Sequence, residues 1–165
     1  MNKWIKRILP VLTVESLLLI FSNSLRSGES VQESKNIAVR IAESVLRCFT
    51  GREFSFDETS SIVAKIGHVL EYAVFSSLFS ASVFFRNGKD QNSFYRILFC
   101  CSFVAITDEH LQLLGVNRTS RVSDVMIDLV ACFLGYALVS LCYSVFQNRN
   151  KKTESVDHEK NPSAS

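Results

Sequence analysis

The sequence predicts an all-α fold, a polytopic membrane protein with four transmembrane helices in a bundle and one amphipathic surface helix in the first outer loop. Two observations carry this prediction. Hydrophobic residues make up 47% of the 165 residues, with 13 Phe, and they are gathered into four long apolar runs. Charged residues reach 21% but occupy blocks at the ends of the chain and between these runs. Such segregation is typical of membrane-spanning proteins.

Composition also excludes several classes of protein. The net charge of +2 is small, and the basic residues form no stripe along a polar helix, so no nucleic acid is expected as a partner. The five cysteines are an odd number without the spacing of a zinc site, which predicts buried thiols that act as small hydrophobes. The sequence identifies no cofactor and contains no motif that specifies a metal site.

The first span is predicted at residues 4–25, after a short basic segment with Trp4 as an interfacial aromatic residue. No A-x-A cleavage site follows it, which favours an uncleaved transmembrane helix over a signal peptide. Glu15 lies in the middle of the run, and we expect it to be satisfied within the bundle rather than at the site.

An amphipathic helix is predicted at about residues 30–48, in a loop of mixed charge. Apolar residues from Val31 to Leu46 recur there at near-helical spacing, which indicates a helix on the membrane surface or against the bundle. Ser30 with Glu33 three residues later has the pattern of a capping box.

The other three spans are predicted at residues 62–85, 94–113 and 122–146. Each has polar residues at one end, where desolvation is costly. They are Lys65, His68, Glu71 and Tyr72 in the second span, Asp108, Glu109 and Gln112 in the third, and Asp124 and Asp128 in the fourth. The membrane domain is expected at residues 1–146, and the charged segment 147–165 is expected to be a disordered cytoplasmic tail.

Charge distribution predicts the orientation. The N-terminal segment, the loop between the second and third spans and the tail are basic, so all three are expected in the cytoplasm. The polar ends of the second, third and fourth spans then lie together at the outer face of the cytoplasmic membrane. That convergence predicts a shared site or a shared network of buried ion pairs.

These residues resemble the VanZ-like family of bacterial membrane proteins. Four blocks carry the resemblance over about residues 21–135: an FSxS-type segment (Phe21, Ser22, Ser24), a K-x-x-H-x-x-E-Y block (Lys65, His68, Glu71, Tyr72), a D-E-x-x-Q block (Asp108, Glu109, Gln112), and Arg118, Asp124 and Asp128 with the later Gly135. The resemblance implies a membrane protein of the cell envelope, with a role in resistance to glycopeptide antibiotics of the teicoplanin type.

Three positions depart from the family pattern. Ala64 stands where the family usually has Arg, His110 is shifted by one residue, and Asn117 lies in the turn that the family forms with P-G-R. A shift of one residue on a helix turns the side chain by about 100 degrees. Roles that depend on the usual Arg or His therefore do not transfer to this chain.

The sequence leaves three functions open. In the first, the ten residues Lys65, His68, Glu71, Tyr72, Asp108, Glu109, Gln112, Arg118, Asp124 and Asp128 bind a ligand, a cell-envelope precursor or a glycopeptide. In the second, the chain is an enzyme acting on a lipid-linked or peptidoglycan precursor, with His68, Glu71, Asp108 and Glu109 as candidate catalytic residues. Under that alternative, His68, Glu71 and Asp108 could instead bind a divalent metal with Asp124. In the third, the charges only join the helices, with Lys65 or an Arg paired to a carboxylate. Membrane lipid is a partner in all three.

Overall fold

The computed structural model of the chain describes residues 3–25, 28–114 and 122–160. These residues form five helices: α1 (Lys3–Leu25), α2 (Gly28–Thr50), α3 (Phe56–Asn87), α4 (Gln91–Leu114) and α5 (Val122–Lys160). Four of them, α1, α3, α4 and α5, are long and apolar enough to cross a membrane. The predicted all-α, multi-pass architecture is therefore confirmed.

α3 is the central helix, because it contacts each of the other four, while α1 and α5 both also contact α4. Its packing is closest against α5, where small residues let the two backbones approach. Gly135 lies against the carbonyl oxygen of Ala73, and the hydroxyl of Ser76 donates a hydrogen bond of 2.6 Å to the carbonyl oxygen of Cys132. Such contacts between small residues are a common basis of helix association in membranes.

The starts of α2 and α3 differ from the prediction. α3 begins at Phe56, six residues before the predicted span, because Ser55 and Glu58 form a capping box that satisfies the first backbone N–H groups. α2 begins at Gly28, so Ser30 is inside the helix and is not its cap. The side chains of Ser30 and Glu33 lie outside the part of the chain that the structure describes.

Among the α2 side chains that the structure describes, Val39 is the buried apolar residue, and it is fully enclosed. Ile37, Ile41 and Val45 recur every four residues along the same helix and are exposed. This spacing puts them in one stripe on the helix surface. An exposed apolar stripe on an otherwise polar helix is what an interfacial membrane helix presents to lipid.

Glu15 is exposed on α1, so the expectation that it is satisfied within the bundle is wrong. Thr13, Ile20 and Ser24 are buried, at spacings of seven and four residues that define the packed face of α1. Glu15 is two residues from Thr13, and a step of two residues turns a side chain to the opposite side of a helix.

α4 begins next to Asp90, whose carboxylate accepts hydrogen bonds from the backbone N–H and the hydroxyl of Ser93. These hydrogen bonds hold the pKa of Asp90 below its ordinary value.

The last helix, α5, continues to Lys160, into the segment expected to be disordered. The segment 147–160 contains good helix formers and neither Gly nor Pro, so nothing in its sequence ends the helix.

Candidate functional site

Polar residues from four helices meet at one end of the bundle, formed by the end of α1, the first half of α3, the end of α4 and the start of α5. We call this end the site end. Its members, the polar cluster, are Asn23, Ser24, His68, Glu71, Tyr72, Asp108, Glu109, Gln112, Asp124 and Asp128. The structure thus brings together eight of the ten residues that the sequence predicts for a ligand site.

Asp108 is fully buried on α4 and joins two helices. One of its carboxylate oxygens accepts a hydrogen bond from the hydroxyl of Ser24 on α1. The other accepts a bond of 3.1 Å from the amide nitrogen of Gln112, one turn further along α4. A buried carboxylate held at both oxygens has a fixed orientation, since each bond removes a rotational freedom.

A second contact joins α1 to α3. The amide nitrogen of Asn23 donates a hydrogen bond of 2.7 Å to Oε1 of Glu71. Asn23 and Ser24 were not among the predicted site residues, although the polar end of the first span contains both. The FSxS-type segment was the available signal, because it places Ser24 at the depth of the other three motifs.

His68 and Asp128 face each other across α3 and α5, with Nδ1 of His68 3.9 Å from Oδ1 of Asp128. The His68 side chain is 25% exposed and that of Asp128 is 1% exposed, so the pair connects the surface with the interior. Neither this nitrogen nor either oxygen of Asp128 makes a hydrogen bond with another described residue. The buried Tyr72 hydroxyl faces Asp108 and Asp128.

The polar cluster is strongly acidic. Asp128 lies within electrostatic range of four other carboxylates, those of Glu71, Asp108, Glu109 and Asp124. Lys65 is exposed and forms no ion pair with any carboxylate in the part of the chain that the structure describes. The predicted pairing of Lys65 with a carboxylate is therefore not found. Arg118 and Arg121 lie outside the described residues.

His110 does not join the cluster. It is exposed on α4, and its Nδ1 lies 2.7 Å from the carbonyl oxygen of Ile106, one turn earlier on the same helix. Its neighbour Glu109 is 3% exposed. The rotation of about 100 degrees between adjacent helical residues accounts for the difference.

The arrangement offers two kinds of chemistry. Carboxylate oxygens accept hydrogen bonds, so the cluster can receive hydroxyl, amide and ammonium donors. His68, Asp108 and Asp128 also each offer one ligand atom, and these atoms all lie within 4.8 Å of one another. Asp128 replaces the predicted Asp124 in this second possibility, because Asp128 is the residue that faces His68.

Comparison with known proteins gives one match. A family model described as VanZ/LLP1 matches residues 9–143 of the chain, which contain all ten members of the polar cluster. No curated protein and no solved structure matches the chain.

Proposed function

Because the chain belongs to the VanZ/LLP1 family, we propose that it is a multi-pass membrane protein whose polar cluster recognises a ligand at the outer face of the cytoplasmic membrane. The ligand is a cell-envelope molecule or a glycopeptide-related one. The role is the antibiotic-resistance type that the family resemblance implies. The observation that carries the proposal is the meeting of polar side chains from four helices at one end of the bundle.

The chemistry of the cluster favours a ligand rich in hydrogen-bond donors. Glu71, Asp108 and Glu109 are acceptors, and acceptors at a membrane surface suit sugar hydroxyls, peptide N–H groups and ammonium groups. Peptidoglycan precursors and glycopeptides have such groups in abundance. His68 is partly exposed and supplies an access point from the surface to the buried carboxylates.

The test compares two histidines at the site end, His68 in the first half of α3 and His110 near the end of α4. His68→Gln and Glu109→Gln are expected to remain folded and inserted but to lose protection against a lipoglycopeptide, because each removes charge or basicity while keeping hydrogen-bonding capacity. His110→Gln is the matched control, since His110 is exposed and outside the cluster. Susceptibility to a plain glycopeptide, expression level and melting temperature in detergent are measured beside it. Full protection in well-folded His68→Gln and Glu109→Gln would contradict the proposal.

An enzymatic function is the alternative, and the contact between His68 and Asp128 favours it. A carboxylate that faces an imidazole can orient the ring, which suits a general base acting on a lipid-linked or peptidoglycan precursor. Turnover of such a precursor by purified protein, abolished by His68→Gln and retained by His110→Gln, would support this alternative over recognition alone.

A further inference from the structure

We propose that His68, Asp108 and Asp128 bind a divalent transition-metal ion. Each of the three residues comes from a different helix, α3, α4 and α5, and one ligand atom from each lies within 4.8 Å of the other two. Asp108 and Asp128 are fully buried. The inference concerns the buried carboxylates of the polar cluster and the histidine beside them. It does not depend on which ligand the cluster recognises.

The unsatisfied polar atoms around this point are the second observation. Both oxygens of Asp128 and Nδ1 of His68 are buried and make no hydrogen bond with any residue that the structure describes. The hydroxyl of Tyr72, which is not one of the three ligands, is also buried and faces both carboxylates. Buried polar groups are nearly always satisfied in folded proteins, so the three unsatisfied atoms of Asp128 and His68 around one point indicate a bound group.

The charge at this point indicates the sign of that group. Two carboxylates share an enclosed space, and Glu71, Glu109 and Asp124 add negative potential to it. Among the described residues, no Lys or Arg lies within ion-pair distance of Asp108 or Asp128. Buried like charges require a counter-ion or a shared proton, and a divalent cation neutralises both carboxylates.

The donor set indicates the kind of metal. One imidazole nitrogen with two carboxylate oxygens is a mixed set, which suits Zn²⁺, Mn²⁺ or Fe²⁺ better than the oxygen-preferring Ca²⁺ or Mg²⁺. Ser24 and Gln112 orient Asp108 and leave a free lone pair on each of its oxygens for a metal. Three protein ligands leave a coordination position open for water or for a group of a ligand.

The spacing between His68 and Asp128 requires a small closure. Ligand atoms about 2.1 Å from a tetrahedral zinc ion are about 3.4 Å apart, and Nδ1 of His68 lies 3.9 Å from Oδ1 of Asp128. His68 is the side chain that can move, because it is 25% exposed while both aspartates are enclosed. A small movement of its ring towards Asp128 would bring these two atoms to bonding separation.

The experiment measures metal binding directly. The full chain is purified in detergent, stripped with a chelator, dialysed against Zn²⁺, Mn²⁺ or Mg²⁺, and analysed for metal content and melting temperature. We expect one ion of Zn²⁺ or Mn²⁺ per chain and a rise in melting temperature on binding. Asp128→Asn and His68→Gln should each weaken binding by at least about tenfold. The matched controls His110→Gln and Glu15→Gln, both at exposed positions, should bind as the unmodified chain does.

Two results would overturn the inference. One is an unmodified chain that retains no ion and shows no thermal shift with any of the three metals. The other is Asp128→Asn binding as tightly as the unmodified chain. Asparagine keeps the size of the side chain and removes one of two neighbouring buried carboxylates, so this variant should fold; His68→Gln gives the same readout from α3 if it does not. Metal content is measured without any antibiotic, so it is independent of the proposed ligand recognition.

Discussion

The two ends of the bundle differ in the sign and the burial of their charged side chains. At the site end, carboxylates such as Asp108 and Asp128 are fully enclosed between helices. At the other end, which we call the basic end, Lys6, Arg7 and Arg86 are exposed around an open cavity of about 510 Å³. Exposed cations need only water and lipid headgroups, whereas buried anions need partners. The basic end is therefore typical of any membrane protein, and the site end requires a specific explanation.

The interiors of the two ends also differ. Below the exposed cations, the bundle is filled by aromatic residues: Phe84 packs against Tyr136 and Tyr143, with ring centroids 5.8 and 5.4 Å apart. At the site end the corresponding volume is occupied by side chains that form hydrogen bonds between helices. Aromatic packing stabilises the basic end without ordering any charge, so substitutions of its exposed cations should be tolerated better.

Cysteine labelling should give the largest contrast between the ends, because accessibility from one side of a membrane is all or none. On a cysteine-free background, an impermeant reagent should reach position 55, beside the start of α3, from outside the cell. Positions 89 and 155 should react only from inside, since Lys89 lies in the basic loop between α3 and α4. Labelling of position 89 from outside would place the site end in the cytoplasm.

The second contrast is energetic. Asp108→Ala leaves the hydroxyl of Ser24 and the amide of Gln112 without their acceptor, in a place that water does not reach. We expect a loss of roughly 3–5 kcal/mol in the free energy of unfolding. Arg86→Ala, at the exposed basic end, should cost less than about 1 kcal/mol. Unfolding in mixed detergent micelles measures both, and equal losses would show that burial of charge does not distinguish the two ends.

The sequence predicted the helices well because hydrophobic runs of about 20 residues have few alternatives to spanning a membrane. It also predicted that the polar residues meet at one end of the bundle, since the polar ends of three successive spans lie on the same side. It did not predict which side chains pair. Lys65 or an Arg was expected to pair with a carboxylate. Lys65 is exposed, Arg118 and Arg121 lie outside the described residues, and Asn23 and Ser24 supply contacts to Glu71 and Asp108.

The pairs of side chains could not be predicted because they depend on the rotation of each helix about its axis. A motif read along the chain gives the height of each residue but not the neighbour that it faces, because that depends on how α1, α4 and α5 pack around α3. Glu15 was assigned to the interior for the same reason: its apolar surroundings suggested burial, but the packed face of α1 is set by Thr13, Ile20 and Ser24. Position along a membrane helix is therefore predictable from one sequence, and orientation is not.

The smallest expected effect tests how the two ends are coupled. Gly135 lies on α5 between them, and a methyl group there would meet the backbone of Ala73 and lie 3.0 Å from Oγ of Ser77. Gly135→Ala should push α5 away from α3 and cost about 1–3 kcal/mol, as overpacking does. Gly67→Ala is the control, because nothing lies within 4 Å of the added methyl group. It should stabilise α3 by about 0.5–1 kcal/mol through helix propensity.

Separation of the two helices also moves His68 away from Asp128, since these residues lie on the same pair of helices at the site end. Gly135→Ala should therefore weaken the contact between them, while the exposed cations Lys6 and Arg86 keep their surroundings. Labelling of cysteines introduced at the basic end measures the accessibility of that end, and the melting temperature measures the stability of the whole bundle. If Gly135→Ala and Gly67→Ala unfold with the same free energy, the α3–α5 contact does not hold the site end together, and the polar cluster must do so by itself.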